Sequence, residues 1–145
     1  MKNIEYKTEL RVIYADTDAM AVVYHSNYFK WFEVGRSELL RNIGYPYNRL
    51  EQEGVMLPVV ECGCKYIKPA LYDDLLEITA IIKEVKAATV IIEYEIRRKS
   101  SEERLVTGFT RHAVTDSSLK PVRLQRVAPE LYRLFLNKKQ DAKDN

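Results

Sequence analysis

The stretch Tyr14-Ala-Asp16-Thr-Asp18-Ala-Met-Ala21-Val-Val-Tyr24-His25-Ser26-Asn27-Tyr28-Phe29-Lys-Trp31-Phe32-Glu33-Val-Gly35-Arg36-Ser-Glu38-Leu39-Leu40-Arg41-Asn-Ile43-Gly44 concentrates the chemistry and the core of this chain. Tyr28, Phe29, Trp31, Phe32, Leu39, Leu40 and Ile43 recur at helical spacing, which predicts one long helix from Ser26 to Ile43. Ser26 is its candidate N-cap and Gly44 its stop. The apolar face is wide and aromatic, and Gly35 lets another segment approach closely, so a sheet is expected to wrap this helix. Two acidic residues, Asp16 and Asp18, precede the helix, and His25, one of only two histidines, stands at its start. A carboxylate thus lies close in sequence to a helix N-terminus, whose free N–H groups and positive dipole end can hold a developing oxyanion. That combination predicts an active site.

Upstream, Tyr6, Thr8, Leu10, Val12 and Tyr14 alternate with Lys7, Glu9 and Arg11, the period of a half-buried strand over Ile4 to Tyr14. Downstream, a short turn of helix is expected at Tyr47 to Glu53. Four strands follow, at Val55 to Ile67, Leu75 to Lys86, Thr89 to Arg98 and Arg104 to Thr115. The clearest sets Val90, Ile92, Tyr94 and Ile96 against Ile91, Glu93, Glu95 and Arg97. Short polar turns such as Lys99-Ser-Ser-Glu102 favour an antiparallel meander. Pro129 to Asn137 reads as a short C-terminal helix with Leu131, Leu134 and Phe135 on one face, and 138–145 as a frayed tail. Strands that follow a helix without alternating with helices argue for an α+β domain, one antiparallel sheet curled around one helix. Such a sheet leaves edges unprotected, so a symmetric dimer is expected.

Composition bounds the function. With 145 residues, 46% of them hydrophobic, the chain reads as a single globular domain, 1–145, with a substantial core. Its 23 basic and 21 acidic residues are mixed along the chain, which leaves no basic stripe and disfavours nucleic acid as a partner. No apolar run approaches the roughly 20 residues of a membrane span, and no signal-peptide core follows Met1, so a cytoplasmic address is expected. Cys62 and Cys64 lie on one face of a strand, too far apart for an unstrained disulfide, and read as free thiols. Glu61 alone does not complete a ligand set beside them, so no metal is expected.

Asp16-Thr-Asp18-Ala-Met-Ala-Val-Val-Tyr24-His25-Ser-Asn27-Tyr28-Phe-Lys-Trp31 resembles the signature of the hotdog-fold acyl-CoA thioesterases of the 4-hydroxybenzoyl-CoA thioesterase family. Within it, the likeness is to the branch that includes the Tol-Pal-associated acyl-CoA thioesterase. It continues through Phe32-Glu-Val-Gly-Arg36-Ser-Glu38, Tyr66-Ile-Lys-Pro69-Ala-Leu-Tyr-Asp73-Asp-Leu and Pro121-Val-Arg123-Leu. The resemblance implies a hotdog fold, a homodimer often assembled into tetramers, and hydrolysis of acyl-CoA with no metal or redox cofactor. It places the catalytic aspartate on Asp18 and the carbonyl-polarising backbone N–H on or next to His25. Ala21 stands where the family commonly has Gly.

Beside this resemblance, Asp16 reads as the structural partner that caps the turn, and His112 as structural. Glu33 and Glu38 are placed to pair with Arg36 and Arg41 at adjacent turns. Tyr14, Tyr24, Asn27 and Tyr28 are the candidate substrate-binding residues, although aromatics at helical spacing usually pack against a sheet. For the CoA arm, whose phosphates need cations or exposed N–H groups, the resemblance points to Lys86 and Thr89, with Arg123 a second candidate. Ala87 and Ala88, between the first two, lack the cations of the aromatic-thioesterase pattern. Expected substrates carry short, branched or aromatic acyl groups on CoA. A hotdog protein that binds acyl thioesters without cleaving them, an acyl-carrier-protein thioesterase and a hotdog hydratase are the competing functions.

Overall fold

A computed structural model describes residues 4–136; Asn137 and the tail 138–145 lie outside the described residues. The elements run β1 (Glu5–Arg11), a 3-10 turn (Tyr14–Asp16), α1 (Asn27–Asn42), α2 (Tyr47–Gln52), β2 (Val59–Tyr66), β3 (Leu75–Val85), β4 (Thr89–Arg98), β5 (Arg104–Ala113), α3 (Leu124–Val127) and α4 (Pro129–Leu136). The five strands form one sheet in the order β1-β3-β4-β5-β2, every neighbouring pair antiparallel. Only β3, β4 and β5 make the expected meander. The long connections carry β1 to the far side of β3, and β2 beside β5, where it forms an edge.

Period-two alternation puts Leu76, Ile78, Ala80 and Ile82 of β3 and Val90, Ile92, Tyr94 and Ile96 of β4 on the inner face. Trp31, Phe32, Leu39 and Leu40 of α1 join them in one buried cluster. At Gly35 the helix comes close to the sheet: a Cβ there would lie 2.8 Å from Ile78 Cγ2. The helix ends at Gly44, whose φ of +85° is a left-handed stop that glycine adopts without strain. Its start differs from expectation. Ser26 is in the N-cap position with no side-chain cap bond, and the first turn is closed instead by Asn27 N–H to Tyr24 O and Phe29 N–H to Ser26 O.

Strand β1 also stops earlier than its alternation suggests. Val12 exchanges backbone bonds with Asp73 and Asp74, and the Asp16 carboxylate accepts the Ile13 N–H at 3.1 Å, curling the chain into the 3-10 turn. Tyr14 is therefore 76% exposed rather than on the inner face. Strand β2 begins at Val59, four residues later than expected, and the four-residue α3 is too short for its pattern to announce it. Helix α4 closes the core with Leu131 and Phe135.

Beneath α1 runs a buried polar chain. The Arg36 Nε–H donates to the Tyr47 hydroxyl at 3.0 Å, Tyr94 and Thr110 hydroxyls lie 2.7 Å apart, Thr110 Oγ1 is 2.8 Å from His112 Nε2, and His112 Nδ1 is 2.9 Å from the Leu57 carbonyl. A carbonyl can only accept, so Nδ1 carries the proton, Nε2 accepts from Thr110, and Thr110 accepts from Tyr94. Burial lowers the pKa of His112. The ion pairs Glu33–Arg36, in which only the glutamate is exposed, and Glu38–Arg41 lie along α1 as its spacing suggests.

Candidate active site

The loop between β1 and α1 is a tight, internally bonded hairpin. Thr17 and Val23 form an antiparallel bridge, Asp18 N–H donates to Val22 O at 2.9 Å, and Ala21 N–H donates back to Asp18 O at 2.9 Å. Asp18 Oδ1 accepts the Met20 N–H at 2.8 Å, an aspartate turn that fixes the side chain at the hairpin tip. Ala21 closes the turn with φ +63°, the left-handed region, which explains why glycine suits this position.

Asp16 ties this hairpin to the helix start. Its carbonyl accepts the Tyr24 N–H at 2.8 Å and the Asn27 side-chain amide at 2.9 Å. Asn27, buried, is therefore committed to the loop. The sequence places Asp18 seven residues before His25 and nine before the first residue of α1; these bonds tie the base of the hairpin to the helix start.

Beside the helix start lies a cavity of about 250 Å³, walled by Val23, His25, Tyr28, Tyr66, Ile67, Lys68 and Pro69. Two expected residues line it, His25 and Tyr28. Tyr28 is buried, its ring edge-on to Trp31 and Tyr66, and its hydroxyl accepts the Ala70 N–H at 3.0 Å. Burial raises its pKa. His25 is exposed, with the Tyr24 ring 4.4 Å away centroid to centroid. Asp18, Tyr14, Tyr24 and Asn27 do not wall this cavity; Tyr14 instead meets Tyr72 edge-on at 5.8 Å. Tyr66 escaped the sequence-based search for site residues, because its partner in the site is 41 positions away.

Lys86, Thr89 and Arg123 do converge. The Lys86 N–H bonds Thr89 O at 2.9 Å across the β3–β4 turn, and Leu124 N–H bonds Ala87 O at 2.8 Å, setting Arg123 beside that turn. The Lys86 ammonium is 3.0 Å from the Glu84 carboxylate. A larger groove of about 780 Å³ lies on the outer face of the sheet, against Ile81, Ile91 and Phe109, and none of the candidate residues lines it. The described residues hold no cluster of three or more His, Cys, Asp or Glu side chains fit for a metal. Nor is any described helix long and apolar enough to cross a membrane.

Residues 12–135 match the thioesterase-like superfamily. The chain belongs to that superfamily. Similar proteins to this thioesterase-like chain include a putative acyl-CoA thioesterase, YneP, of Bacillus subtilis, 31% identical over 89% of this chain and 94% of its own. The acyl-CoA thioesterase YbgC of Helicobacter pylori is 32% identical over 88% of this chain and 84% of its own. Among solved structures, a DHNA-CoA thioesterase from Staphylococcus aureus superposes with a TM-score of 0.89 at 28% identity, covering 97% of this chain and 94% of that one. The five-stranded sheet around α1 is accordingly a hotdog fold. The thioesterase-like match starts at Val12 and so includes the whole hairpin that carries Asp18.

Proposed function

We propose that this protein hydrolyses acyl-CoA thioesters to the free acid and CoA, as a cytoplasmic homodimer. The observation that carries the proposal is the bonded hairpin in a thioesterase-like chain: Asp16 ties its base to the start of a 16-residue helix, and its tip holds a carboxylate, Asp18, in a fixed turn. One Asp18 oxygen is engaged by the Met20 N–H, which leaves the other to act.

Water, or the carboxylate itself, attacks the thioester carbonyl; Asp18 is the general base in the first case and the nucleophile in the second. The carbonyl oxygen takes up negative charge, which backbone N–H groups at the start of α1, at or next to His25, stabilise. The C–S bond then breaks and CoA leaves as the thiolate. In the first route it takes the proton that Asp18 removed from the water. In the second, a water hydrolyses the mixed anhydride left on Asp18, giving the free acid, the restored carboxylate and the proton for the thiolate. Tyr28 walls the acyl end and Asn27 braces the loop beside it. Lys86, Thr89 and Arg123 meet the CoA arm. The small cavity beside His25 and Tyr28 suits short, branched or aromatic acyl groups. Motif likeness over Asp16 to Trp31 favours the Tol-Pal-associated branch.

Dimerisation is supported by β2. Its outer edge carries no strand among the described residues, and Val59, Val60 and Tyr66 are exposed along it. Pairing of two such edges completes the walls around Asp18.

The test is thiol release from a panel of acyl-CoA and acyl-carrier-protein substrates, run beside Asp18→Asn. Asparagine keeps an oxygen for the Met20 N–H, so the turn persists while turnover falls about a hundredfold or more. Wild-type binding of acyl-CoA without thiol release, or an Asp18→Asn variant at full rate, would overturn the proposal.

A further inference from the structure

The peptide group joining His25 to Ser26 is held from outside its own loop. Tyr66, the last residue of β2, donates its hydroxyl to the His25 carbonyl at 2.9 Å. A trans peptide is planar, with its N–H directed opposite its C=O. Fixing this carbonyl therefore fixes the direction of the Ser26 N–H. That N–H has no backbone acceptor among the described residues, and it lies one position ahead of α1, at the positive end of the helix.

The surrounding contacts hold the neighbourhood but not this plane. Ala70 N–H bonds the Tyr28 hydroxyl at 3.0 Å and Val23 N–H bonds Ala70 O at 3.0 Å, so the strap after Tyr66 braces both sides of the cavity. The Tyr66 ring packs edge-on against Tyr28 at 5.4 Å and His25 at 6.5 Å between centroids. Among the described residues, only the Tyr66 hydroxyl acts on the His25–Ser26 peptide itself. Local desolvation, with the Cys64 thiol adding to it, raises the pKa of that hydroxyl, so it stays a donor wherever the enzyme is assayed.

Resting on the thioesterase assignment above, we propose that Tyr66 is a positioning residue, whose hydroxyl locks the His25–Ser26 peptide so that the Ser26 N–H is the donor presented to the thioester oxygen. The hydroxyl touches no reacting atom. It removes the rotation of a peptide plane that would otherwise have to be frozen during the reaction.

Tyr66→Phe keeps both ring contacts and deletes only the hydroxyl. In the full chain, kcat is expected to fall about tenfold with KM nearly unchanged, short of the hundredfold or more that follows outright loss of an oxyanion donor. The His25 carbonyl-carbon and Ser26 amide-nitrogen resonances should shift, those of Val23 and Ala70 should stay, and the thermal midpoint should hardly move. A simple packing role would instead lower the midpoint and leave the 25–26 resonances in place, which overturns the proposal. An active wild type whose Tyr66→Phe variant keeps full kcat overturns it as well. A wild type that releases no thiol from any substrate fails differently, because it removes the thioesterase assignment on which Tyr66 acts.

Discussion

Phe32 of α1 and Tyr94 of β4 stack face to face, their ring centroids 4.4 Å apart and their planes within 8° of parallel. The stack fits because Gly108 of β5 lies beneath the Phe32 ring tip. A Cβ at 108 would come within 2.5 Å of Phe32 Cε2 and Cζ and within 2.8 Å of the Gly63 carbonyl. Neither a ring held in a stack nor a backbone oxygen in a ladder can step aside. Gly108→Ala is therefore expected to cost about 3 kcal/mol by overpacking, measured as a lower urea midpoint at constant m-value. Phe32→Leu introduced alongside it should recover part of the loss, giving a non-additive double-mutant cycle.

Ala21 tests the hairpin that holds Asp18. Its φ of +63° is a conformation that costs an L-residue roughly 1–2 kcal/mol, while glycine brings an entropic cost of about 0.5–1 kcal/mol. Ala21→Gly should thus stabilise the protein by about half to 1 kcal/mol, read from chemical denaturation. A destabilised variant would show that the Ala21 methyl makes a contact that outweighs the strain.

His112 should make stability fall on mild acidification. Its pKa lies below the ordinary 6.5, chiefly because burial disfavours the charged ring; the Arg36 guanidinium adds to this, and the bond to Leu57 opposes it. Tyr94 and Thr110 complete its surroundings with hydroxyls rather than carboxylates. Between the lowered folded value and 6.5 the unfolded chain binds a proton that the folded chain does not. Stability is then complete above about pH 6.5 and declines below it, with a slope approaching 1.4 kcal/mol per pH unit. Protonation would also reverse the donor chain toward Arg36, which can only donate. Urea midpoints from pH 8 to pH 5 should show this decline in the wild type, and His112→Gln should flatten it. Glu53 and Glu103, whose carboxyls are held below 4.5, act only at lower pH.

The residues that the sequence made legible are those whose signal is local. Alternation in β3 and β4 and helical spacing in α1 mark the inner face because a strand or helix repeats its exposure every few residues. The Gly35 approach and the Gly44 stop were readable for the same reason. Strand partners are not local. Val59–Tyr66 shows the same strand character whether it pairs with β3 or with β5, and only closure of the whole sheet assigns it to the edge. The site divides along the same line. Asp18, His25 and Tyr28 fall within one short stretch and are visible in it. Tyr66 and Ala70 reach the helix start across 41 and 42 residues, and nothing in their own neighbourhood announces it.

The exposed edge of β2 yields the last prediction. Natural sheets guard free edges with charge, as β1 does with Lys7, Glu9 and Arg11, all exposed. Strand β2 instead offers Val59, Val60 and Cys62, with Val60 58% exposed, and its only exposed charges are Glu61, paired with Arg111, and Lys65. Two copies joined antiparallel along this edge would satisfy the open backbone groups and cover the apolar side chains at once. Cys62→Lys sets an ammonium near the middle of the strand, so a two-fold pairing brings two like charges close together. Light scattering should find a dimer for the wild type and a shift toward monomer for Cys62→Lys, with thiol release falling in step because the walls beside Asp18 come apart. A wild type that is monomeric at assay concentration, or a monomeric Cys62→Lys variant at full rate, would show that one copy builds the whole site.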